Sequence, residues 1–175
     1  MQVKDKNFEI FIAENQLKAA VKKVAKAVSA DYSNENPLFV SVLNGSFIFA
    51  ADLMREIDMQ AEIEFIKVSS YQRTQRGDLQ VHLDLKSEVK DRHVVIIEDI
   101  VDTGNTIKYL LAHLQKKKCK SVEIVTLLLK PEVFDHSFPV KYVGLEIENK
   151  FVVGYGLDYD GYGRNLKHLY QIKEK

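Results

Sequence analysis

The chain has 175 residues, and its 25 lysines and arginines balance 25 aspartates and glutamates, so the formal net charge is zero. Balanced charge argues against a broad surface for nucleic acid or membranes, and the length suits one domain, residues 1–175. Cys119 is the only cysteine, which excludes an intrachain disulfide. Because the sequence shows no secretory leader and no apolar run that could span a bilayer, we expect a cytoplasmic globular protein.

The first third of the chain alternates between extended and helical patterns. Residues 8–12 alternate apolar and polar side chains, which predicts a short edge strand. Apolar residues at helical spacing predict a helix over residues 14–29, and a second helix is expected over residues 47–56. Between these helices, the apolar run 38–43 predicts a buried strand. Strands and helices in alternation indicate an α/β fold.

The turn Asn44-Gly45-Ser46 joins this strand to the second helix. The turn carries no bulky side chain, so its backbone N–H groups are open to an anion, which the N-terminus of a helix attracts. The alternative is a plain helix start with Ser46 as its cap. The turn by itself does not decide between these two interpretations.

Two alternating segments, residues 61–68 and 79–85, predict a β-hairpin arm. The polar segment between them, residues 69–78, would form the tip of this arm. The arm is either a solvent-exposed hairpin or a flexible lid that shuts water out of a site.

Residues 93–107 are the most informative stretch, because a buried strand leads into carboxylates and a small polar turn. The β-branched run 94–97 is typical of a strand buried on both faces, and we expect this strand to end where Glu98 and Asp99 follow. Carboxylates that pointed at a phosphate would repel it. Glu98, Asp99 and Asp102 should therefore face hydroxyls, a cation or a group that gives up a proton.

The turn 102–106, Asp-Thr-Gly-Asn-Thr, precedes a helix predicted over residues 107–118. Its N–H groups and the positive end of the helix dipole would bind a phosphate, and Gly104 would permit a close approach. Neither the glycine pattern of dinucleotide-binding folds nor that of the P-loop is present. The alternative is an ordinary helix start in which Asp102 and Thr103 act as caps.

The last third of the chain adds candidate ligand contacts. Strands are predicted over residues 122–129 and 140–146. Lys130 follows the first of these strands, at the end where α/β sheets place ligand-contacting groups, although a surface lysine is the alternative. Four of the eight glycines lie within residues 154–163, which indicates an irregular loop wall. Near this wall, Phe151 could stack on a flat ligand and Asp158 could reach a cation.

Three of these features share the carboxyl edge of the predicted sheet: the turn at 44–45, the stretch 98–106 and Lys130. With the flanking motifs, they resemble the bacterial-type hypoxanthine(-guanine) phosphoribosyltransferases, which are type I phosphoribosyltransferases. The motifs are V-L-N-G-S at 42–46, S-Y at 70–71, G-D at 77–78, V-V-I-I-E-D-I-V-D-T-G-N-T at 94–106, L-L-L-K-P at 127–131, K-F-V-V-G-Y-G-L-D-Y at 150–159, and Arg164. The resemblance implies an α/β fold with a central, mostly parallel sheet flanked by helices, a small hood from the terminal segments and a flexible hairpin lid.

The resemblance also implies an activity in purine salvage. The 5-phosphoribosyl group of phosphoribosyl pyrophosphate (PRPP) would move to N9 of hypoxanthine, or of guanine, to give IMP or GMP and pyrophosphate, with Mg²⁺ as cofactor. Asp102 would be the catalytic base or proton carrier at the purine N7. For PRPP, the resemblance implies that the 5′-phosphate binds to Asp99 and residues 102–106 (Asp102, Thr103, Gly104, Asn105, Thr106), the ribose hydroxyls to Glu98 and Asp99, and the pyrophosphate to Asn44, Gly45 and Arg164. The implied purine contacts are Lys130, Phe151, Val152 and Asp158. The metal would be held by Glu98, Asp99 and Asp158, and the lid would include Ser70 and Tyr71.

One position departs from the family pattern. Many members of the family carry lysine where Asn44 stands, so the pyrophosphate contact of this loop would depend on backbone N–H groups. The peptide that enters the loop, here Leu43–Asn44, is often cis in the family. We also expect a homodimer or homotetramer, and no nucleic-acid or membrane partner.

Three alternatives remain at this stage. One is a PRPP enzyme for adenine or a pyrimidine, which the combination of Lys130 and residues 151–158 disfavours. Another is a non-catalytic regulator of the same fold that binds nucleotide or RNA, although the balanced charge disfavours it. The last is a phospho-acceptor receiver domain, whose carboxylates would lie on separate strands rather than in one stretch.

Overall fold

A computed structural model of the chain describes residues 1–70 and 79–173. Within these residues, the elements are β1 (Gln2–Val3), β2 (Lys6–Ile12), α1 (Glu14–Asp31), β3 (Leu38–Leu43), α2 (Phe47–Glu56), β4 (Glu62–Ser70), β5 (Leu79–Leu83), β6 (His93–Val101), α3 (Asn105–Lys116), β7 (Ser121–Leu129), β8 (Tyr142–Glu146), β9 (Val152–Val153) and β10 (Leu169–Ile172). The predicted bounds of β3 and α2 are confirmed.

The larger sheet has the strand order β5-β4-β3-β6-β7-β8. Its neighbours pair in parallel except for β4 and β5, which form the antiparallel hairpin expected from their alternating residues. The apolar runs of β3 and β6 lie in the middle of this order, where both faces of a strand are covered. The predicted α/β fold with a mostly parallel sheet is therefore confirmed.

Helices cover both faces of the larger sheet. On one face, buried residues of α1 and α2, such as Leu17 and Phe49, form a cluster with Val95 and Ile97 of β6. On the other face, Ile107 and the rest of the apolar side of α3 pack with alternate residues of the same strands. Since successive side chains of a strand point to opposite faces, one unbroken apolar run supplies both clusters.

The smaller sheet, with the order β1-β2-β10-β9, forms the hood and combines strands from both ends of the chain. The expectation that residues 8–12 form an edge strand is wrong, because β2 pairs with β1 on one side and β10 on the other. Alternation along β2 indicates one buried face, but it carries no information about how many strands pair with its backbone. The strands β1, β9 and β10 are short and went unpredicted.

The strand β6 is longer than its sequence indicates. We expected it to end at Glu98 and Asp99, yet its pairing with β7 continues through Glu98 to Val101. The backbone ladder holds the strand extended there, although carboxylates are unfavourable in the interior of a sheet. The strand thus carries two charged residues to the edge where the site lies.

Two remaining expectations concern the lid and the membrane. Ser70 ends β4, whereas Tyr71, Gly77, Asp78 and the rest of the expected lid tip lie outside the described residues. Among the helices that the structure describes, none combines the length and the apolar character needed to cross a bilayer.

Candidate active site

A cavity of about 300 Å³ lies at the carboxyl edge of the larger sheet. It brings together residues from four parts of the chain. These are Gly45 after β3, then Asp99, Ile100 and Asp102 around the end of β6, then Lys130 after β7, and finally Phe151, Val152, Leu157, Asp158 and Arg164 from the segment after β8. The convergence expected from the ends of parallel strands is thus present in this part of the fold.

Gly45 lets the turn after β3 approach Asp99 closely. A Cβ atom added to Gly45 would lie 1.8 Å from Oδ2 of Asp99, so any side chain there would displace the carboxylate. The preceding peptide, Leu43–Asn44, is cis. Asn44 itself does not line the cavity.

Ser46 occupies the cap position of α2, but its side chain makes no capping hydrogen bond to the helix, so the plain capping interpretation of this turn is wrong. Its hydroxyl donates to the backbone carbonyl of Val42 at 2.5 Å and also shares a hydrogen bond with the Ser41 hydroxyl at 2.7 Å. Both serines are fully buried. They bind the turn back to its own strand.

Glu98 and Asp99 are buried carboxylates, each with only 8% of its surface exposed. Burial, followed by the charges of Asp99 and Asp102, raises the pKa of Glu98 well above its usual value. Burial also raises the pKa of Asp99 to about 6, although a hydrogen bond from the N–H of Ile100 and the charge of Arg164 oppose this change. Among the described residues, Oε2 of Glu98 has no hydrogen-bond partner. A cation or hydroxyl donors would therefore stabilise the ionised form of these two carboxylates.

The turn before α3 has the shape of an anion site. Gly104 has a left-handed φ of +80°, and α3 begins directly after it at Asn105. The Asp102 carboxylate accepts the N–H of Thr103 at 2.5 Å, while Asp102 remains exposed at the cavity. Because Gly104 occupies the cap position and its helix has no side-chain cap within the described residues, the capping interpretation of Asp102 and Thr103 is wrong. The first N–H groups of α3 are thus available to an anion.

Lys130 lies directly after β7 and lines the cavity. Its backbone N–H donates to the carbonyl of Val101, which fixes the lysine beside the end of β6. Its Nζ donates a long hydrogen bond of 3.4 Å to Oδ1 of Asn149. This leaves other protons of the ammonium for a ligand.

Phe151 presents an aromatic face that is 47% exposed. Behind it, the ring of Tyr159 stands edge-on at 5.8 Å between centroids, and the ring of Phe8 lies at 6.4 Å. The ammonium of Lys6 lies 5.9 Å from the centroid of the Phe151 ring. The hood thus supports an aromatic surface against which a flat ligand can stack.

Asp158 and Arg164 form an ion pair at the cavity, with 2.5 Å between Oδ1 and Nη2. The other oxygen of Asp158 accepts the N–H of Gly161 at 2.7 Å. Arg164 also donates through Nη1 to the carbonyl of Gly156 at 2.7 Å. Both groups are therefore oriented by protein contacts and retain capacity for further bonds.

The cavity is lined by eight of the sixteen predicted site residues. Glu98, Asn44 and residues 103–106 adjoin it without lining it, while Ile100 and Leu157 line it without having been predicted. Both missed residues are apolar neighbours of predicted carboxylates. Ile100 could have been predicted from its position in β6 next to Asp99, but we expected the strand to end before it.

Comparisons with known proteins agree with this geometry. The Phosphoribosyl transferase domain family matches residues 11–160. The chain is 38% identical over 169 residues to the hypoxanthine-guanine phosphoribosyltransferase of Streptococcus pyogenes serotype M3, an alignment that covers 95% of this chain and 94% of that protein. It is 40% identical over 167 residues to the bifunctional protein TilS/HprT of Listeria innocua; this match covers 94% of the chain but 26% of that protein, so the chain spans about a quarter of its length.

A solved structure gives the same result. The hypoxanthine phosphoribosyltransferase of Trypanosoma cruzi, in complex with the product IMP, matches this fold with a TM-score of 0.89. The two are 35% identical, and the match covers 99% of this chain and 97% of that one. The chain therefore belongs to the phosphoribosyltransferase family, in the branch of the hypoxanthine-guanine phosphoribosyltransferases.

Proposed function

We propose that the chain transfers the 5-phosphoribosyl group from PRPP to N9 of hypoxanthine and of guanine, giving IMP or GMP and pyrophosphate. The observation that carries this proposal is the cavity whose lining combines the carboxylates of Asp99 and Asp102 with a lysine, an arginine and an aromatic ring. The relatives from Streptococcus pyogenes and Trypanosoma cruzi are transferases by name, and nothing in these matches favours the non-catalytic regulator.

PRPP binds with its 5′-phosphate at the start of α3. The N–H groups of residues 103–106 and the hydroxyls of Thr103 and Thr106 donate to the phosphate oxygens, and the helix dipole adds positive potential. Asp99 and Asp102 border this site. Glu98 and Asp99 accept hydrogen bonds from the ribose hydroxyls. The lack of a side-chain cap on α3 among the described residues supports this arrangement.

Mg²⁺ is the proposed cofactor, and Glu98 and Asp99 fit it because an orphaned oxygen of Glu98 is buried beside a second carboxylate. In the described part of the chain, no three metal-ligating side chains are grouped together. This suits Mg²⁺, which one or two carboxylates commonly hold together with water and substrate oxygens. Asp158 would help to hold the ion through a water molecule. When bound, Mg²⁺ neutralises phosphate charge and so favours the departure of pyrophosphate.

Pyrophosphate binds at the opposite end of the cavity, between the turn at Asn44 and Gly45 and the guanidinium of Arg164. Asn44 offers a neutral amide, so the backbone N–H groups of the turn and the cation of Arg164 supply most of the binding. The hydrogen bond from Arg164 to the Gly156 carbonyl supports the proposal, because Gly156 packs closely against Gly45.

The purine lies between Phe151 and the end of β7. Its ring stacks on the exposed face of Phe151, and backbone groups near Val152 and Asp158 bind its Watson–Crick edge. Lys130 donates to O6 of the base. An adenine would present an amino group to an ammonium that can only donate, so 6-oxopurines are preferred.

The reaction breaks the bond from C1′ to the pyrophosphate oxygen and forms the bond from C1′ to N9. The purine loses one proton, which the carboxylate of Asp102 accepts from N7. The sugar resembles an oxocarbenium ion in the transition state, so the negative charges of Glu98 and Asp99 stabilise it. The exposure of Asp102 at the cavity supports this role, since Glu98 and Asp99 are buried.

Three further expectations complete the proposal. Ser70 and Tyr71 belong to a lid that excludes water from the reacting sugar. The enzyme assembles as a homodimer or homotetramer and acts in the cytoplasm. The organisation of residues 1–175 as a single domain stays a prediction.

An assay across four purines tests the function. Purified protein is mixed with PRPP and hypoxanthine, guanine, xanthine or adenine, with and without Mg²⁺, and nucleotide and pyrophosphate are both measured. We expect turnover of hypoxanthine and guanine that depends on Mg²⁺, and little with adenine. Turnover of none of these bases would contradict the proposal, and RNA binding that weakens with salt would favour the regulator instead.

A further inference from the structure

Residues 154–156 have an unusual backbone, because three successive residues have positive φ. The values are +107° for Gly154, +50° for Tyr155 and +105° for Gly156. The tyrosine differs from its two glycine neighbours, since a left-handed conformation is strained for a bulky residue. Such a conformation persists only where surrounding contacts impose it.

Backbone hydrogen bonds impose part of this conformation. The N–H of Tyr155 donates to the carbonyl of Leu166 at 2.8 Å, and the N–H of Gly156 donates to the carbonyl of Arg164 at 2.9 Å. The segment therefore pairs with the residues around Arg164. These bonds do not attach the segment to the helices that cover the sheet.

The Tyr155 side chain supplies that attachment. It is only 3% exposed and belongs to the cluster that α1 and α2 form on one face of the sheet. Its hydroxyl donates to Oδ2 of Asp52 on α2 at 2.5 Å. Tyr155 does not line the cavity, so any effect on the reaction must pass through its neighbours.

Gly156 is the neighbour that touches both parts of the pyrophosphate end. Its carbonyl accepts the Nη1 hydrogen bond of Arg164 at 2.7 Å. Its Cα also approaches Gly45 so closely that an added Cβ would lie 2.1 Å from the Gly45 carbonyl oxygen. A small displacement of this backbone would move Arg164 away from the turn.

We propose that the hydrogen bond from Tyr155 to Asp52 positions Gly156 and thereby holds Arg164 against the Gly45 turn, which makes Tyr155 a positioning residue for pyrophosphate. The inference rests on the proposed function. Two of the proposed purine contacts have separate supports, since Lys130 is fixed to β6 through Val101 and Phe151 rests on the hood. Loss of the bond should therefore affect PRPP and pyrophosphate more than the base.

The variant Tyr155→Phe tests this, because it retains the buried ring and deletes the hydroxyl. We expect the KM for PRPP and the dissociation constant for pyrophosphate with Mg²⁺ each to rise roughly fivefold or more, while the KM for hypoxanthine changes less than about twofold. Steady-state kinetics supply the KM values, and titration calorimetry with pyrophosphate gives a measure that does not depend on turnover.

Tyr142→Phe is the matched control. Tyr142 is also buried, and its hydroxyl donates to Oδ2 of Asp31 at 2.7 Å, but this pair joins α1 to β8 away from the cavity. We expect it to lower thermal stability about as much as Tyr155→Phe and to leave both KM values unchanged.

Two variants of Asp52 separate positioning from packing. Asp52→Asn keeps an oxygen that can accept the Tyr155 hydroxyl, so its kinetics should stay near those of the unmodified protein. Asp52→Ala removes the acceptor and should reproduce the kinetics of Tyr155→Phe. Pyrophosphate affinity that stays unchanged in Tyr155→Phe, or changes equally in Tyr142→Phe, would overturn the inference. An unmodified protein without turnover would contradict the proposed function instead.

Discussion

At the scale of single residues, Lys130 is the group that we expect to select the base. Replacing it by methionine keeps much of the chain volume but removes the donor to O6, and an unpaired buried polar group costs about 1–3 kcal/mol. We therefore expect kcat/KM for hypoxanthine to fall roughly 10- to 100-fold in Lys130→Met, with little change in the KM for PRPP. Steady-state kinetics with each substrate varied in turn measure both values.

Lys18→Met is a suitable control for this experiment, because Lys18 is an exposed lysine that pairs with Glu14 on the surface of α1. It should leave both parameters unchanged. Full activity of Lys130→Met on hypoxanthine would contradict the assignment of the purine contact.

Asp102 has a different role, and its variant should separate chemistry from binding. In Asp102→Asn the amide oxygen can still accept the Thr103 N–H that the carboxylate accepts at 2.5 Å, so the turn keeps its shape. The amide cannot take up a proton, and general-base catalysis is worth roughly 10²- to 10⁴-fold in rate. We expect kcat to fall by that order while the dissociation constant for PRPP changes only a few-fold. Equal losses in rate and affinity would indicate a purely structural role.

At the scale of elements, the turn between β3 and α2 depends on the absence of a side chain at Gly45. In Gly45→Ala the new methyl group would fall on the Asp99 carboxylate, so either the turn or Asp99 must move. We expect a loss of affinity for PRPP of roughly tenfold or more, measured by calorimetry. Gly144→Ala is the control, because its added Cβ would lie 2.6 Å from the carbonyl oxygen of Leu127, in a crowded position that does not line the cavity, and it should leave the affinity for PRPP unchanged.

The elements that the sequence predicts best are those with a strong period or an unbroken apolar run. The helices and the strands of the larger sheet followed from these patterns, and β3 and α2 match to the residue. The two- to four-residue strands of the hood did not, because such segments contain too few residues to show a period. The pairing of β2 with β10 was also unpredictable, since pairing across 150 or more residues leaves no local signal.

The candidate site was predictable from the sequence where a charged side chain lies at or near the end of a predicted strand. Asp99, Asp102 and Lys130 all follow or end strands of one sheet, so the topology alone brings them to one edge. The ion pair of Asp158 with Arg164 could not be predicted from the sequence, because it depends on the left-handed turns around Gly156 and Gly161. The same turns give Tyr155 its contact with α2, which no sequence pattern indicated.

At the scale of the whole molecule, the parallel sheet concentrates negative charge in its own interior. The central strand β6 carries Glu98 and Asp99 to the carboxyl edge, where both are nearly covered by protein. Buried carboxylates are costly without a cation, so the ligand-free fold carries a penalty at neutral pH. Binding of Mg²⁺ with PRPP would relieve this penalty, which couples stability to substrate binding.

This coupling predicts how stability varies with pH in the metal-free protein. Burial raises the pKa of Asp99 from an ordinary value of 3.8 to about 6, so between these values the folded state binds more protons than the unfolded state. The penalty from Asp99 is then absent below about pH 4, grows as the pH rises and is complete above about pH 6, where it amounts to roughly 2–3 kcal/mol. Asp99→Asn should accordingly be more stable than the unmodified protein at pH 7.5, and the difference should shrink as the pH falls through 6.

Denaturant unfolding in the presence of a chelator measures the free energy of unfolding of both proteins, and a variant of an exposed aspartate, Asp58→Asn, serves as the control. A difference that stays constant from pH 5 to pH 7.5 would show that Asp99 is not the group that titrates.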